Sequence, residues 1–214
     1  MTKLENIIIK VQEGNTRQTE VLIAQLLKEN YSPENILRKG LIAGIMEMEK
    51  KFRKNEILDS EFTLAERALK AGLDILRPIF SERQNSFAGT VITGTLEGDI
   101  RETEKDITSC LMQSMGLKVI DLGISVSSIR FVEAAIEEMA QIIACTTTLT
   151  IFLPLMKSLV QATGQANIRG KTKILLSGAP VTEWFCKSID ADMYAPDPLQ
   201  AAKIAAEYCR KIKN

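Results

Sequence analysis

The 214-residue sequence contains no histidine. Without imidazole there is no histidine base, no histidine metal ligand and no Ser-His or Cys-His nucleophile, so whole reaction classes are excluded. A surplus of one charge is also missing, because 27 Lys plus Arg balance 27 Asp plus Glu. No basic excess is left to neutralise a phosphate backbone, and nucleic acid is not an expected partner. Cys110, Cys145, Cys186 and Cys209 stand far apart with no CxxC pair, so neither a zinc site nor a redox pair is indicated. Free thiols in a reducing cytosol are expected. No uncharged stretch reaches the roughly 20 residues of a membrane helix. Lys3, Glu5, Lys10 and Glu13 interrupt the start, where a signal peptide would be apolar. The expectation is a cytoplasmic protein, neither spanning nor anchored to a membrane.

What is present is a globular balance of 45% hydrophobic and 25% charged residues, enough for one large or two compact domains. From residue 1 to about 84 the apolar residues follow helical spacing. Asn15 caps a second helix carrying Val21, Leu22, Ala24, Leu26 and Leu27. Ser32-Pro33 starts a third helix that runs towards Phe52, and a fourth follows Asp59 or Ser60 until Pro78 disturbs its end. An antiparallel four-helix bundle is predicted. From residue 89 to 214 short β-rich runs alternate with helices: Gly89–Gly94, Lys118–Leu122, Gln141–Cys145, Lys173–Leu176 and Asp192–Ala195. Such alternation predicts an α/β domain with a five-stranded parallel sheet covered on both faces. Ligands of such sheets bind beyond the carboxyl ends of the strands, here the loops near Glu97, Gly123, Thr148, Ala179 and Pro196.

Several of these loops carry a resemblance. Gly40-Leu-Ile-Ala-Gly44, Glu97-Gly-Asp-Ile100, Val119-Ile-Asp-Leu-Gly123, Gly178-Ala-Pro-Val181 and Tyr194-Ala-Pro-Asp197 resemble, in order and spacing, the corrinoid-binding proteins of methyltransferase systems. The resemblance covers nearly the whole chain. It implies a helical cap (residues 1–84) before a flavodoxin-like cobalamin-binding domain (89–214), with cobalamin as cofactor. It also implies methyltransferase proteins and a corrinoid-reducing activator as partners. In the family a DxHxxG loop places histidine beneath cobalt, and the displaced nucleotide tail enters the sheet domain.

Here that loop reads Asp99-Ile100-Arg101-Glu102-Thr103-Glu104. Arginine has no acceptor lone pair and stays protonated, so Arg101 cannot replace imidazole on cobalt. The position of the family's hydroxyl relay partner aligns with Phe152, which makes no hydrogen bond and suggests an apolar floor. The resemblance assigns tail contacts to Thr146, Thr148, Thr150, Ser177, Gly178, Ala179, Tyr194 and Ala195, and an apolar cover to Leu58 and Phe62. Asp99, Ile100, Arg101 and Phe152 complete the cofactor set, with no catalytic residue and no protein ligand on the metal. Tail-in and tail-on binding both remain open.

The expected function is a methyl carrier between methyltransferases. The alternatives are a non-catalytic corrinoid carrier, reservoir or sensor, and a scaffold that binds no corrinoid. Without the resemblance, Asp99, Glu102, Glu104 and Asp106 read as first-turn acids favoured by a helix dipole. The threonines then read as turn chemistry, Phe62 as bundle core and Trp184 as a core or domain-contact residue. Gly89, Gly94 and Gly98 fit neither GxGxxG nor a phosphate loop.

Overall fold

The computed structural model describes residues 2–82 and 86–213. The chain divides into two compact units, Met1–Arg83 and Gln84–Asn214. The expected domain ends at residues 1, 84 and 214 lie outside the described residues.

The first unit contains α1 (Lys3–Gln12), α2 (Thr16–Lys28), α3 (Pro33–Asn35), a π-helical stretch Ile36–Ile42, α4 (Ala43–Arg53) and α5 (Asp59–Glu82). Since α3, the π stretch and α4 run on as one rod, the unit is a four-rod bundle. The Asn15 side chain accepts from the Gln18 amide at 3.1 Å and Ser32 from Asn35 at 3.3 Å, so both predicted caps satisfy otherwise orphaned helix amides. The rod buries Ile36, Gly40, Gly44 and Met48 together with Leu37, Leu41 and Ile45. A four-residue repeat drifts by about 40° per step on an α-helix. The wider i→i+5 turn removes much of that drift and keeps the buried stripe on one side.

Pro78 does not end the fourth rod, and α5 continues to Glu82. Leu69, Leu73, Leu76 and Phe80 form one buried stripe across the proline. Packing of Phe80 in the last turn offsets the hydrogen bond that proline cannot donate. Gly72 marks the closest helix contact, because a Cβ there would lie 2.6 Å from Leu41 Cδ2 and 2.9 Å from Ile23 Cδ1.

The second unit runs β1 (Thr90–Gly94), α6 (Thr103–Ser114), β2 (Lys118–Asp121), α7 (Ser128–Glu137), β3 (Ile142–Thr146), a 3-10 turn Thr150–Phe152, α8 (Leu153–Gln165), β4 (Lys173–Ser177), α9 (Glu183–Ser188), β5 (Met193–Ala195) and α10 (Pro198–Lys213). Every strand pairing is parallel, in the order β2-β1-β3-β4-β5, which is the flavodoxin-like order. Ile92 pairs with Ile120 on one side and Ile143 on the other. Ile92, Ile143, Ile174 and Leu176 join Phe131, Ala135, Met156, Leu159 and Cys186 in one apolar core. Helix α6 packs against α10 and is buried continuously from Lys105 to Met112. Trp184 lies exposed on α9, whose only buried residue is Cys186; six residues give this helix one inward position, and Trp184 does not occupy it.

None of the four cysteines forms a disulfide, and all are buried. Burial pushes the Cys186 and Cys209 thiols up to about 11. It pushes Cys145 up further, with the nearby Asp99 charge acting in the same direction. Thiolate is therefore scarce at neutral pH. Ellman's reagent at pH 8 should leave the native thiols unmodified for minutes and titrate four after unfolding. Substituting Gly72→Val should lower the stability of the helical unit by about 1–3 kcal/mol through overpacking, seen as a lower urea midpoint at unchanged slope.

Candidate functional site

The strand order reverses direction at β1, with β2 on one side and β3 on the other. A crevice at such a switch point, beyond the carboxyl ends of the strands, is where open parallel sheets take ligands. The β1 loop enters this region and is tied to the β2 loop. The Thr95 amide donates to the Gly123 carbonyl at 3.0 Å, and Val126 returns a bond to the Thr95 carbonyl at 2.9 Å. The Thr95 hydroxyl donates to the Asp99 carbonyl and accepts from the Ser125 amide. Ser125 in turn accepts from the Gly98 amide at 2.9 Å.

These ties hold Asp99, which is 1% exposed. One carboxylate oxygen accepts from the Thr147 hydroxyl at 2.8 Å and the other from the Arg101 amide at 3.1 Å. A buried carboxylate requires such donors, because its charge has lost water. Phe152 therefore does not leave Asp99 without a hydroxyl partner: Thr147, from the same β3 loop, supplies it. The resemblance assigns tail contacts to Thr146, Thr148 and Thr150 and passes over Thr147, whose hydroxyl meets Asp99.

The three expected threonines have different surroundings. Thr146 is buried and donates to Glu104 Oε2 at 3.1 Å. The Thr148 hydroxyl is buried without a partner among the described residues, whereas Thr150 is exposed in the 3-10 turn. Phe152 is half-buried against the sheet core, its ring edge 3.6 Å from where a Cβ on Gly98 would sit. Ser177 is buried and its carbonyl accepts from the Thr147 amide at 3.3 Å. Gly178 has φ +117°, and a Cβ there would lie 1.9 Å from the Thr147 carbonyl oxygen. The β3 and β4 loops thus meet backbone to backbone, a contact that only glycine permits.

Ala179 is exposed beside this seam, Ala195 is buried and Tyr194 is half-buried against the core. Tyr194 and Ala195 sit in β5, three strand positions from β1, or roughly 14 Å across the sheet. They do not join the Asp99–Thr147 cluster. On the helical unit, Leu58 is 68% exposed. Phe62 is half-buried and stacks on Phe52, with centroids 4.9 Å apart and planes 8° from parallel.

Of the loop isoleucines the sequence reading names only Ile100; Ile124, Ile151 and Lys105 escape it. Ile100, Ile124 and Ile151 are exposed by 72%, 44% and 73%, one in each of the loops following β1, β2 and β3. Together they give the carboxyl edge an apolar rim. Lys105 is buried and pairs with Asp106 at 2.7 Å and Asp121 at 2.5 Å, anchoring α6 to the end of β2. No sequence signal marks Lys105, which stands between Glu104 and Asp106 in a polar stretch.

Residues 4–77 and 89–203 match two family models, each described as a B12 binding domain. The chain is 32% identical to trimethylamine corrinoid protein 1 of Methanosarcina mazei, covering 96% of this chain and 99% of that protein. The chain belongs to the B12-binding corrinoid protein family. A second relative, the dimethylamine corrinoid protein of Methanosarcina barkeri, is 31% identical over 89% of this chain and 90% of its own. The solved Methanosarcina barkeri monomethylamine corrinoid protein has the same fold, with a TM-score of 0.81, 24% identity and coverage of 95% and 96%.

The residues of this corrinoid protein family member suit a corrin ring at the loop edge. The isoleucine rim offers an apolar seat, and the unpartnered Thr148 hydroxyl is a donor without an internal acceptor. Both Asp99 oxygens already accept hydrogen bonds and arginine has no lone pair, so Asp99 and Arg101 are poor donors to a metal. Among the described residues no group of three or more His, Cys, Asp or Glu could hold a metal ion, and no helix is long and apolar enough to cross a membrane. Substituting Thr147→Val removes the donor from a buried carboxylate and should cost the sheet unit about 1.5–3 kcal/mol. Thr147→Ser should restore most of it, both measured by urea unfolding.

Proposed function

We propose that this protein binds a corrinoid at the carboxyl edge of its sheet and carries a methyl group between methyltransferase proteins, with no side chain on the lower face of cobalt. The carrying observation is the Asp99–Thr147 cluster at the switch point in a chain matched along nearly its whole length by methylamine corrinoid proteins. The bound corrinoid would supply the methyl-accepting and methyl-donating chemistry. The chain's own residues position it. The loop ties through Thr95 and Ser125 keep the β1 loop rigid, and Ile100, Ile124 and Ile151 exclude water from the ring edge. Thr148 offers a hydroxyl to a peripheral amide, Phe152 backs the β1 loop, and the Arg101 guanidinium at the loop edge reaches solvent or a ring amide. Leu58 and Phe62 belong to the same set as apolar cofactor contacts.

The absence of a protein ligand favours a low coordination number at the metal and easier reduction, so a corrinoid-reducing activator is included among the partners. Four buried free thiols accord with a reducing, cytoplasmic compartment.

The test is reconstitution of the purified protein with a cobalt corrinoid, gel filtration, and transfer assays with methylamine-specific methyltransferases and a panel of acceptor enzymes. Coloured protein that supports transfer is the expected result. Coloured protein that fails to transfer with every donor would place it as a reservoir or sensor, and colourless protein would remove the corrinoid reading. Loaded with cobinamide and reduced to the Co(II) state, it should show no nitrogen superhyperfine splitting. Such splitting would reveal a side chain on the metal.

A further inference from the structure

The crevice between the carboxyl ends of β1 and β3 is occupied by the protein's own polar groups. Glu104, at the start of α6, accepts from the Thr146 hydroxyl at the end of β3 at 3.1 Å and so bridges the gap. Beneath this bridge lies a space lined by Thr93, Lys105, Thr108, Cys145, Thr146 and Ser177, among others, with about 10 Å³ of room, the space of one water molecule. A benzimidazole nucleotide requires a pocket of ligand dimensions, roughly 300 Å³ or more. Lys105 cannot readily make way, since its ammonium is buried between Asp106 and Asp121, and separating it would strand buried charge. Retreat towards β4 is blocked as well, because Gly178 and the Thr147 carbonyl are already in backbone contact.

We propose, resting on the corrinoid reading above, that this crevice does not admit the lower nucleotide of the cofactor, and that the protein is built to take the corrin ring alone. A nucleotide kept on cobalt would project from the ring face that seats on the Ile100, Ile124 and Ile151 rim. A nucleotide released from cobalt would find the sheet closed by Glu104 and Thr146. Both placements are disfavoured, so the ligand class is the corrinoids without a lower nucleotide, of which cobinamide is the simplest.

Equilibrium titration of the apoprotein with cobinamide and with cobalamin decides this. Cobinamide should bind at least about threefold more tightly than cobalamin. A smaller preference, or tighter binding of cobalamin, overturns the proposal while leaving the corrinoid reading intact. Binding of neither overturns both. Glu104→Gly removes the bridge and should move the ratio at least about tenfold towards cobalamin. A folded Glu104→Gly protein with an unchanged ratio overturns the assignment of Glu104 as the barrier.

Discussion

The carboxylate of Asp99 sits inside the protein, and the arrangement of the loop edge follows from keeping it there. A buried anion is tolerated only when its lone pairs meet donors, and two arrive from different directions. Thr147 comes from the β3 loop and the Arg101 amide from the same turn as Asp99. The Thr95 hydroxyl binds the Asp99 carbonyl, and Ser125 joins the β2 loop to the same turn. The charge thus ties the β3 loop to the β1 loop, and neutral bonds through Thr95 and Ser125 tie the β2 loop to the same turn. Two positions on from Asp99 stands Arg101, whose backbone amide and not its side chain meets the carboxylate.

The two units reach stability by different means. The helical unit relies on close approach, with Gly72 beneath Leu41 and Ile23 and a stripe carried across Pro78 by Phe80. The sheet unit buries its central strands from both faces, so Val91, Ile92, Ile142 and Ile143 are hydrophobic without alternation. Most of its buried polar side chains gather at the carboxyl end, where Thr93, Ser109, Thr146 and Thr147 exchange hydrogen bonds with one another or with acids, while Thr163 and Thr172 bond backbone carbonyls elsewhere. Polar residues collect where the strands stop and the helices have not yet covered them.

The fold was legible because its signals are local. Asn15 and Ser32 each announce a helix start, and each side chain accepts the expected amide. The β-rich runs alternating with helices led to a parallel sheet, which the pairing bears out. The site was legible only in part. Asp99 and the threonine run marked the right loops, but the hydroxyl that meets Asp99 comes 48 positions later in sequence. No periodicity fixes such a partner. Lys105 reads as an ordinary helix lysine until Asp121, at the end of another strand, appears beside it. Ile124 and Ile151 are single apolar residues in polar loops, and their kinship with Ile100 exists only once the strand ends are brought side by side. Pro78 was misread because a local rule about backbone donors met a longer-range packing stripe that outweighed it.

The π-helical stretch from Ile36 to Ile42 has a consequence for how the helical unit tolerates change. Its wider turn acts as a phase adjuster between the two ends of one rod, letting a strict four-residue rhythm stay in step with its neighbours. Removing one residue from that turn would restore ordinary winding locally and rotate everything beyond it out of alignment. Alanine replacements at exposed positions of the rod, such as Arg38 and Lys39, would leave that alignment untouched. In this segment residue number, more than residue type, is the quantity the fold conserves.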